Sequence, residues 1–123
     1  MRLVVLSALV AAAALGPVTT AAADSTPIGP LPKGPVTTVT ARRGSLVAIA
    51  LPRRPASSGL VWRLARPVRA SVARQVSEAD VGDAVVVVYR AVGRGRATIV
   101  YALTRGDASS KALRSATYAV RVA

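Results

Sequence analysis

Ala84-Val85-Val86-Val87-Val88-Tyr89-Arg90-Ala91-Val92-Gly93-Arg94-Gly95-Arg96-Ala97-Thr98-Ile99-Val100-Tyr101-Ala102-Leu103 is the stretch that decides the fold class. Two runs of β-branched and aromatic residues flank a short Gly-Arg-Gly. Ala84 to Arg90 sets Val85, Val87 and Tyr89 on one face, and Arg90 marks the other face as the wet one. Ala97 to Leu103 sets Ile99, Tyr101 and Leu103 together. Both repeats have the period of a strand, 2, and not the 3.6 of a helix. Gly93-Arg94-Gly95 lacks the further glycines and the following helix of a phosphate loop, so it is expected to be a tight hairpin.

The same period extends outward in both directions. Val36-Thr37-Thr38-Val39-Thr40 is β-branched throughout and suits a pleated edge. Leu46 to Leu51 opposes Val47, Ile49 and Leu51 to Leu46, Ala48 and Ala50. Leu60, Trp62 and Leu64 share a face against Val61, Arg63 and Ala65. Arg63 is taken to mark the solvent side, which makes Trp62 a core anchor. Ser115 to Val122 groups Tyr118, Val120 and Val122. Ser77 to Asp80 suggests one helical turn. Turn signals fall at Arg42-Arg43-Gly44, Pro52 to Gly59, Gly82-Asp83 and Arg105 to Ser110. Six or seven short strands at this spacing predict an all-β fold, an immunoglobulin-like antiparallel β-sandwich of about seven strands.

Three segments are expected. Residues 1–23 form a signal peptide: Arg2, an apolar run from Leu3 to Leu15, a Gly16-Pro17 break, and Ala21-Ala22-Ala23 as a small-residue cleavage site. The run is about 13 residues, short of the roughly 20 that span a bilayer, so no membrane span is expected after signal removal. Residues 24–35 carry Pro27, Pro30, Pro32 and Pro35 with Gly29 and Gly34, a stiff extended linker. Residues 36–123 form the sandwich. The expected location is secreted or cell envelope. With no Cys in the chain, the exported domain has no disulfides and rests on packing alone.

The residue inventory narrows the function. There is no His and no Cys, and Asp and Glu total 5 among 123 residues. The usual general base, thiolate nucleophile and zinc ligands are therefore missing, and the chain is read as a non-enzyme without cofactor or metal. Glu78, Asp80 and Asp83 are too few for calcium, which takes six to eight oxygen ligands, and read as a solvated loop offsetting arginines. Net charge is +12, with 17 Lys and Arg. Such a surface attracts anionic polymers. Nucleic acid is not expected, because the few aromatics fall on inner faces. Arg105-Gly106-Asp107, the tripeptide of integrin ligands, is taken as coincidence.

The segment Leu51-Pro52-Arg53-Arg54-Pro55-Ala56-Ser57-Ser58-Gly59-Leu60-Val61-Trp62-Arg63-Leu64 resembles the chagasin-like inhibitors of papain-type cysteine proteases. That family carries Asn-Pro-Thr-Thr-Gly-aromatic after an apolar strand, with a Trp shortly after. It also carries a Gly-rich loop before a central strand and an Arg-Pro-Trp loop before the last one. Ser57-Ser58-Gly59 stands for Thr-Thr-Gly, Pro55-Ala56 for Asn-Pro and Leu60 for the aromatic. Gly82-Asp83 holds the second place, and Arg105-Gly106-Asp107 the third, without the Pro-Trp. The resemblance implies three loops at one end of a sandwich that fill the cleft of a papain-like cysteine protease. The loop residues are then Pro55, Ala56, Ser57, Ser58, Gly59, Leu60, Gly82, Asp83, Arg105, Gly106 and Asp107. Loss of the aromatic hot spot implies weaker binding, or a target with an acidic cleft that suits Arg53, Arg54 and Arg105. The competing reading is a cationic sandwich that binds anionic envelope polymers or a protein partner without inhibiting.

Overall fold

Alternating apolar residues make seven strands, which pack face to face as two sheets. The structure, a computed structural model, describes residues 26–123; the segment read as a signal peptide lies outside the described residues. The strands are β1 (Val36–Ala41), β2 (Leu46–Pro52), β3 (Leu60–Leu64), β4 (Ala73–Val81), β5 (Ala84–Ala91), β6 (Gly95–Arg105) and β7 (Arg114–Val122). One sheet has the order β1-β7-β6-β3 and the other β2-β5-β4. The immunoglobulin-like sandwich read from the sequence is the observed architecture.

The inner faces follow the period-2 reading closely. Val47, Ile49 and Leu51 of β2 are buried against Val87 and Tyr89 of β5, and Ile99, Tyr101 and Leu103 of β6 close the core from the other sheet. Burying each large aliphatic side chain contributes roughly 1.5–3 kcal/mol. At the centre, the Tyr89 hydroxyl from one sheet lies 2.8 Å from the Tyr101 hydroxyl of the other. One phenol donates to the other, so the two buried hydroxyls share a hydrogen bond across the core. Burial pushes Tyr89, Tyr101 and Tyr118 above the usual tyrosine range, at Tyr89 against the lowering effect of the Tyr101 hydrogen bond.

Five local expectations are corrected. Ser77 to Asp80 is not a helical turn but part of β4, which pairs antiparallel with β5 through a bulge between Gln75 and Ser77. Gly93-Arg94-Gly95 is not a hairpin: β5 and β6 belong to different sheets, and these residues carry the chain across. The β1 edge pairs parallel with β7, so the sandwich is antiparallel in every pair but that one. Trp62 is only partly buried at the margin of the core, and its Nε1–H donates to the Pro52 carbonyl at 2.8 Å. Arg63 does not mark a wet face.

The reason lies in segment 26–35. It forms no strand or helix, yet it is fastened along the outer side of β6 and β7. Thr26 N–H donates to the Asp107 carbonyl at 3.1 Å, Gly29 N–H to Ser110 at 2.8 Å and Thr117 N–H to Pro35 at 3.0 Å. Ser115 Oγ donates to the Pro32 carbonyl at 2.7 Å. Gly34 passes so close to Ser115 that a Cβ there would stand 2.1 Å from its carbonyl oxygen, which only glycine allows. Beneath this strap Val100, Ala102 and Thr104, on the outward face of β6, are buried as well. From Val100 to Thr104 both faces of β6 are therefore covered, whereas Arg96 and Thr98 stay exposed beyond the strap.

Candidate functional site

Register places the three candidate loops at one end of the sandwich. Pro52, the last residue of β2, pairs with Ala84, the first of β5. The segment 53–59 and the Gly82-Asp83 turn therefore emerge side by side. Leu60, the first residue of β3, pairs with Arg105, the last of β6. The connection that opens with Arg105-Gly106-Asp107 thus rises beside the return of the first loop.

The loop 55–60 is held by its own hydrogen bonds. Ala56–Ser58 is a single 3-10 turn, and Gly59 closes it in the left-handed region with φ of 69°. Ser58 N–H donates to the Pro55 carbonyl at 3.0 Å and Gly59 N–H to that of Ala56 at 3.2 Å. Ser58 Oγ donates to the Pro55 carbonyl at 2.6 Å and accepts from Leu60 N–H at 3.2 Å. The Ser58 side chain is thus consumed in shaping the turn. Ser57 stands exposed in its middle. The loop is short, small in side chain and pre-shaped, which lowers the ordering cost of docking.

The second loop is coupled to the first. Arg53 N–H donates to the Asp83 carbonyl at 2.8 Å. The Arg53 guanidinium lies 3.8 Å from the Asp80 carboxylate with both side chains exposed, an ion pair worth little in water. Gly82 makes the turn with φ of 57°. Between the two loops lies an open hollow of about 230 Å³ lined by Arg53, Arg54, Pro55, Gly82 and Asp83. A second, of about 310 Å³, opens between the β3 and β4 edges and includes Trp62, Glu78 and Asp80. Glu78 and Asp80 are strand residues, not the solvated loop expected of them. Asp80, Asp83 and Asp107 offset only part of the charge of Arg53, Arg54, Arg105, Lys111 and Arg114 at this end, which stays cationic as the sequence suggests.

The third loop is organised by Arg63, which the sequence pattern assigns to a solvent face and not to the site. Arg63 projects outward from β3 beneath the strap, its side chain only 11% exposed. Its guanidinium donates to the Ser109 carbonyl at 2.7 Å, to the Thr26 carbonyl, and more distantly to Thr104 Oγ1 at 3.4 Å. Arg63 Nε also lies 3.9 Å from the exposed Asp107 carboxylate. Thr104 Oγ1 in turn donates to the Gly106 carbonyl at 2.8 Å. The Arg-Gly-Asp triplet has a local explanation here. Arg105 is exposed, Gly106 takes a φ of 70° and Asp107 faces Arg63.

No known family profile matches the chain, and no curated protein matches it. Solved structures do match. The chain is similar to the cysteine protease inhibitor EhICP2 from Entamoeba histolytica, with a TM-score of 0.58 and 19% identity over 75% of this chain and 99% of that one. It is also similar to PbICP-C, solved in complex with falcipain-2, with a TM-score of 0.58 and 14% identity over 80% of this chain and 95% of that one. At these identities the likeness establishes a shared fold, the chagasin-like sandwich that the sequence pattern resembles.

Proposed function

We propose that this chain is an exported inhibitor of papain-type cysteine proteases that obstructs the active-site cleft with residues 55–60, 82–83 and 105–107. The observation that carries the reading is the convergence of these three loops at one end of a sandwich whose fold matches that of cysteine protease inhibitors. The protein takes no chemical part; it acts as a wedge. The Pro55–Leu60 turn enters first, with Ser57 exposed and Gly59 allowing close backbone approach. Gly82-Asp83 flanks it on one side and Arg105-Gly106-Asp107 on the other. Gly106-Asp107 stands where the family has Pro-Trp, so this loop supplies no aromatic anchor and affinity is expected to be modest.

The test is a titration of the purified protein into papain and a cathepsin-L-type protease, following a fluorogenic peptide at low and high salt. Saturable inhibition that persists at high salt is expected, because a wedge held by shape and close backbone contact does not rest on screened surface charges. Replacing Ser57-Ser58-Gly59 should weaken it. Absence of inhibition at micromolar protein, or inhibition untouched by that replacement, refutes the reading. Export is tested separately by mass spectrometry of secreted protein, with a mature N-terminus near Asp24 expected.

A further inference from the structure

We propose that the end of the sandwich opposite the three loops docks on a bilayer rich in anionic phospholipid. The turn between β1 and β2, the ends of β5 and β7 and the starts of β4 and β6 all meet there. Gly44 N–H donates to the Ala91 carbonyl, Ala123 N–H to Ala41, and Gly95 pairs with Val122. Arg42 and Arg43 occupy the turn, Arg90 and Arg94 the end of β5 and the crossing that follows. Arg96 and Arg121 face each other directly across β6 and β7. Arg69 and Arg74 adjoin them at the entry to β4. All of these arginines are exposed.

No carboxylate side chain answers them among the described residues. Among the described residues the ion pairs are Arg53 with Asp80 and Arg63 with Asp107, both toward the loop end. Glu78 lies mid-strand, and Asp83 forms the far turn. Like charges placed directly opposite on a sheet destabilise it. The Arg96–Arg121 pair is relieved by an external anion. It lines a shallow groove of about 400 Å³ with Thr38 and Thr98. Guanidinium forks beside hydroxyls match phosphate oxygens.

Leu46 identifies the partner as lipid and not a soluble polyanion. It is 57% exposed and pairs with Arg90, which pairs in turn with Arg74. From this row the outer face of the β2-β5-β4 sheet continues as Ala48, Ala50, Val86 and Val88. An aliphatic surface that begins among arginines suits the boundary of headgroups and acyl chains, whereas a polyanion in water gains nothing from Leu46. A second copy would bring two cationic ends together, which their charge opposes. Docked this way the molecule holds its loops away from the membrane, and the binding itself does not depend on how those loops function.

The experiment is co-sedimentation of the full chain with vesicles of phosphatidylglycerol mixed with phosphatidylcholine, and of phosphatidylcholine alone. Binding is expected only to the anionic vesicles, weakened by salt. The variant R42Q/R43Q/R96Q/R121Q should lose on the order of several hundred-fold in partitioning, since each basic residue near such a surface contributes several-fold. Leu46→Gln should lose a few-fold on vesicles and nothing on soluble inorganic polyphosphate. A charge-matched variant at the other end, R53Q/R54Q/R105Q/R114Q, should keep most of the binding. Circular dichroism and urea melts confirm that each variant is folded. Equal loss in both quadruple variants overturns the proposal, because general charge attraction then explains the binding. A protein that ignores the vesicles, with or without binding polyphosphate, overturns it as well.

Discussion

Arg63→Met removes the guanidinium that joins β3, the strap and the third loop while keeping a long apolar stem in its place. The cost can be worked from the contacts. Asp107 is exposed and 3.9 Å away, so that ion pair contributes little. The 3.4 Å approach to Thr104 Oγ1 is weak as well. Two strong donations remain, to the Ser109 and Thr26 carbonyls. Hydrogen bonds to a charged group contribute about 1.5–3 kcal/mol each. The strap can lift and rehydrate its own carbonyl, which caps the loss at about 3 kcal/mol for the pair. For a domain of this size that corresponds to a fall in Tm of roughly 12–20 °C. The measurement is a urea melt of wild type, Arg63→Met, Arg63→Lys and Asp107→Ala. Lysine keeps the charge but not the planar fork, so Arg63→Lys should lose most of what methionine loses. Asp107→Ala should change little. Proteolysis within residues 26–35 should accelerate in Arg63→Met before global unfolding. A change below about 0.5 kcal/mol in Arg63→Met, within the range of ordinary surface substitutions, refutes the argument.

Three further outcomes follow from the geometry. Gly59→Ala forces a Cβ into the left-handed region at φ of 69°, so stability should fall by about 1–2 kcal/mol and protease inhibition should weaken, read by melts and by the titration above. Tyr89→Phe leaves the Tyr101 hydroxyl buried without its partner, at about 1–3 kcal/mol, whereas the double Tyr89→Phe, Tyr101→Phe change should cost less than the sum of the two singles in a double-mutant cycle. Burial raises the folded-state pKa of all three tyrosines above the unfolded value of about 10, so the folded state holds protons the unfolded state releases. Their contribution is full below pH 10 or so and is lost as pH rises beyond it. Urea melts from neutral to strongly alkaline pH should be flat in this contribution and then fall; in a Tyr118→Phe background, phenolate absorbance should appear only as the fold is lost, and phenolate formation near pH 10 or so in folded protein there contradicts the buried pair.

The parts of the fold that the sequence reading recovered are those whose residues alternate on their own account. Leu46 to Leu51 and Ala84 to Arg90 show their inner faces because each carries one large apolar set against smaller or charged residues. β4 escaped it. Its inner side at Glu78 and Asp80 opens toward solvent at the sheet edge, so no apolar alternation advertises the strand. The loop 55–60 was legible because Pro, Ser and Gly act within one turn, and the bonds they make stay inside the loop. Arg63 was misjudged because a lone arginine in a strand ordinarily points to water, and nothing local announces the strap above it.

What the sequence determined by itself is therefore short in range: strand period, turn residues, the absence of His and Cys and an excess of arginine. Those properties reside in neighbouring residues and need no partner to be expressed. The tertiary structure decided what depends on residues distant along the chain. It made Gly93 to Gly95 a crossing between sheets, since a short Gly-rich link serves a hairpin or a crossing equally well. It set β1 parallel to β7, because a β-branched edge strand fits either direction. It gathered three loops at one end, their aspartates with them, and left arginines without carboxylate side chains, among the described residues, at the other. Charge is written into the chain residue by residue, but polarity across a molecule exists only once the strands have been laid side by side.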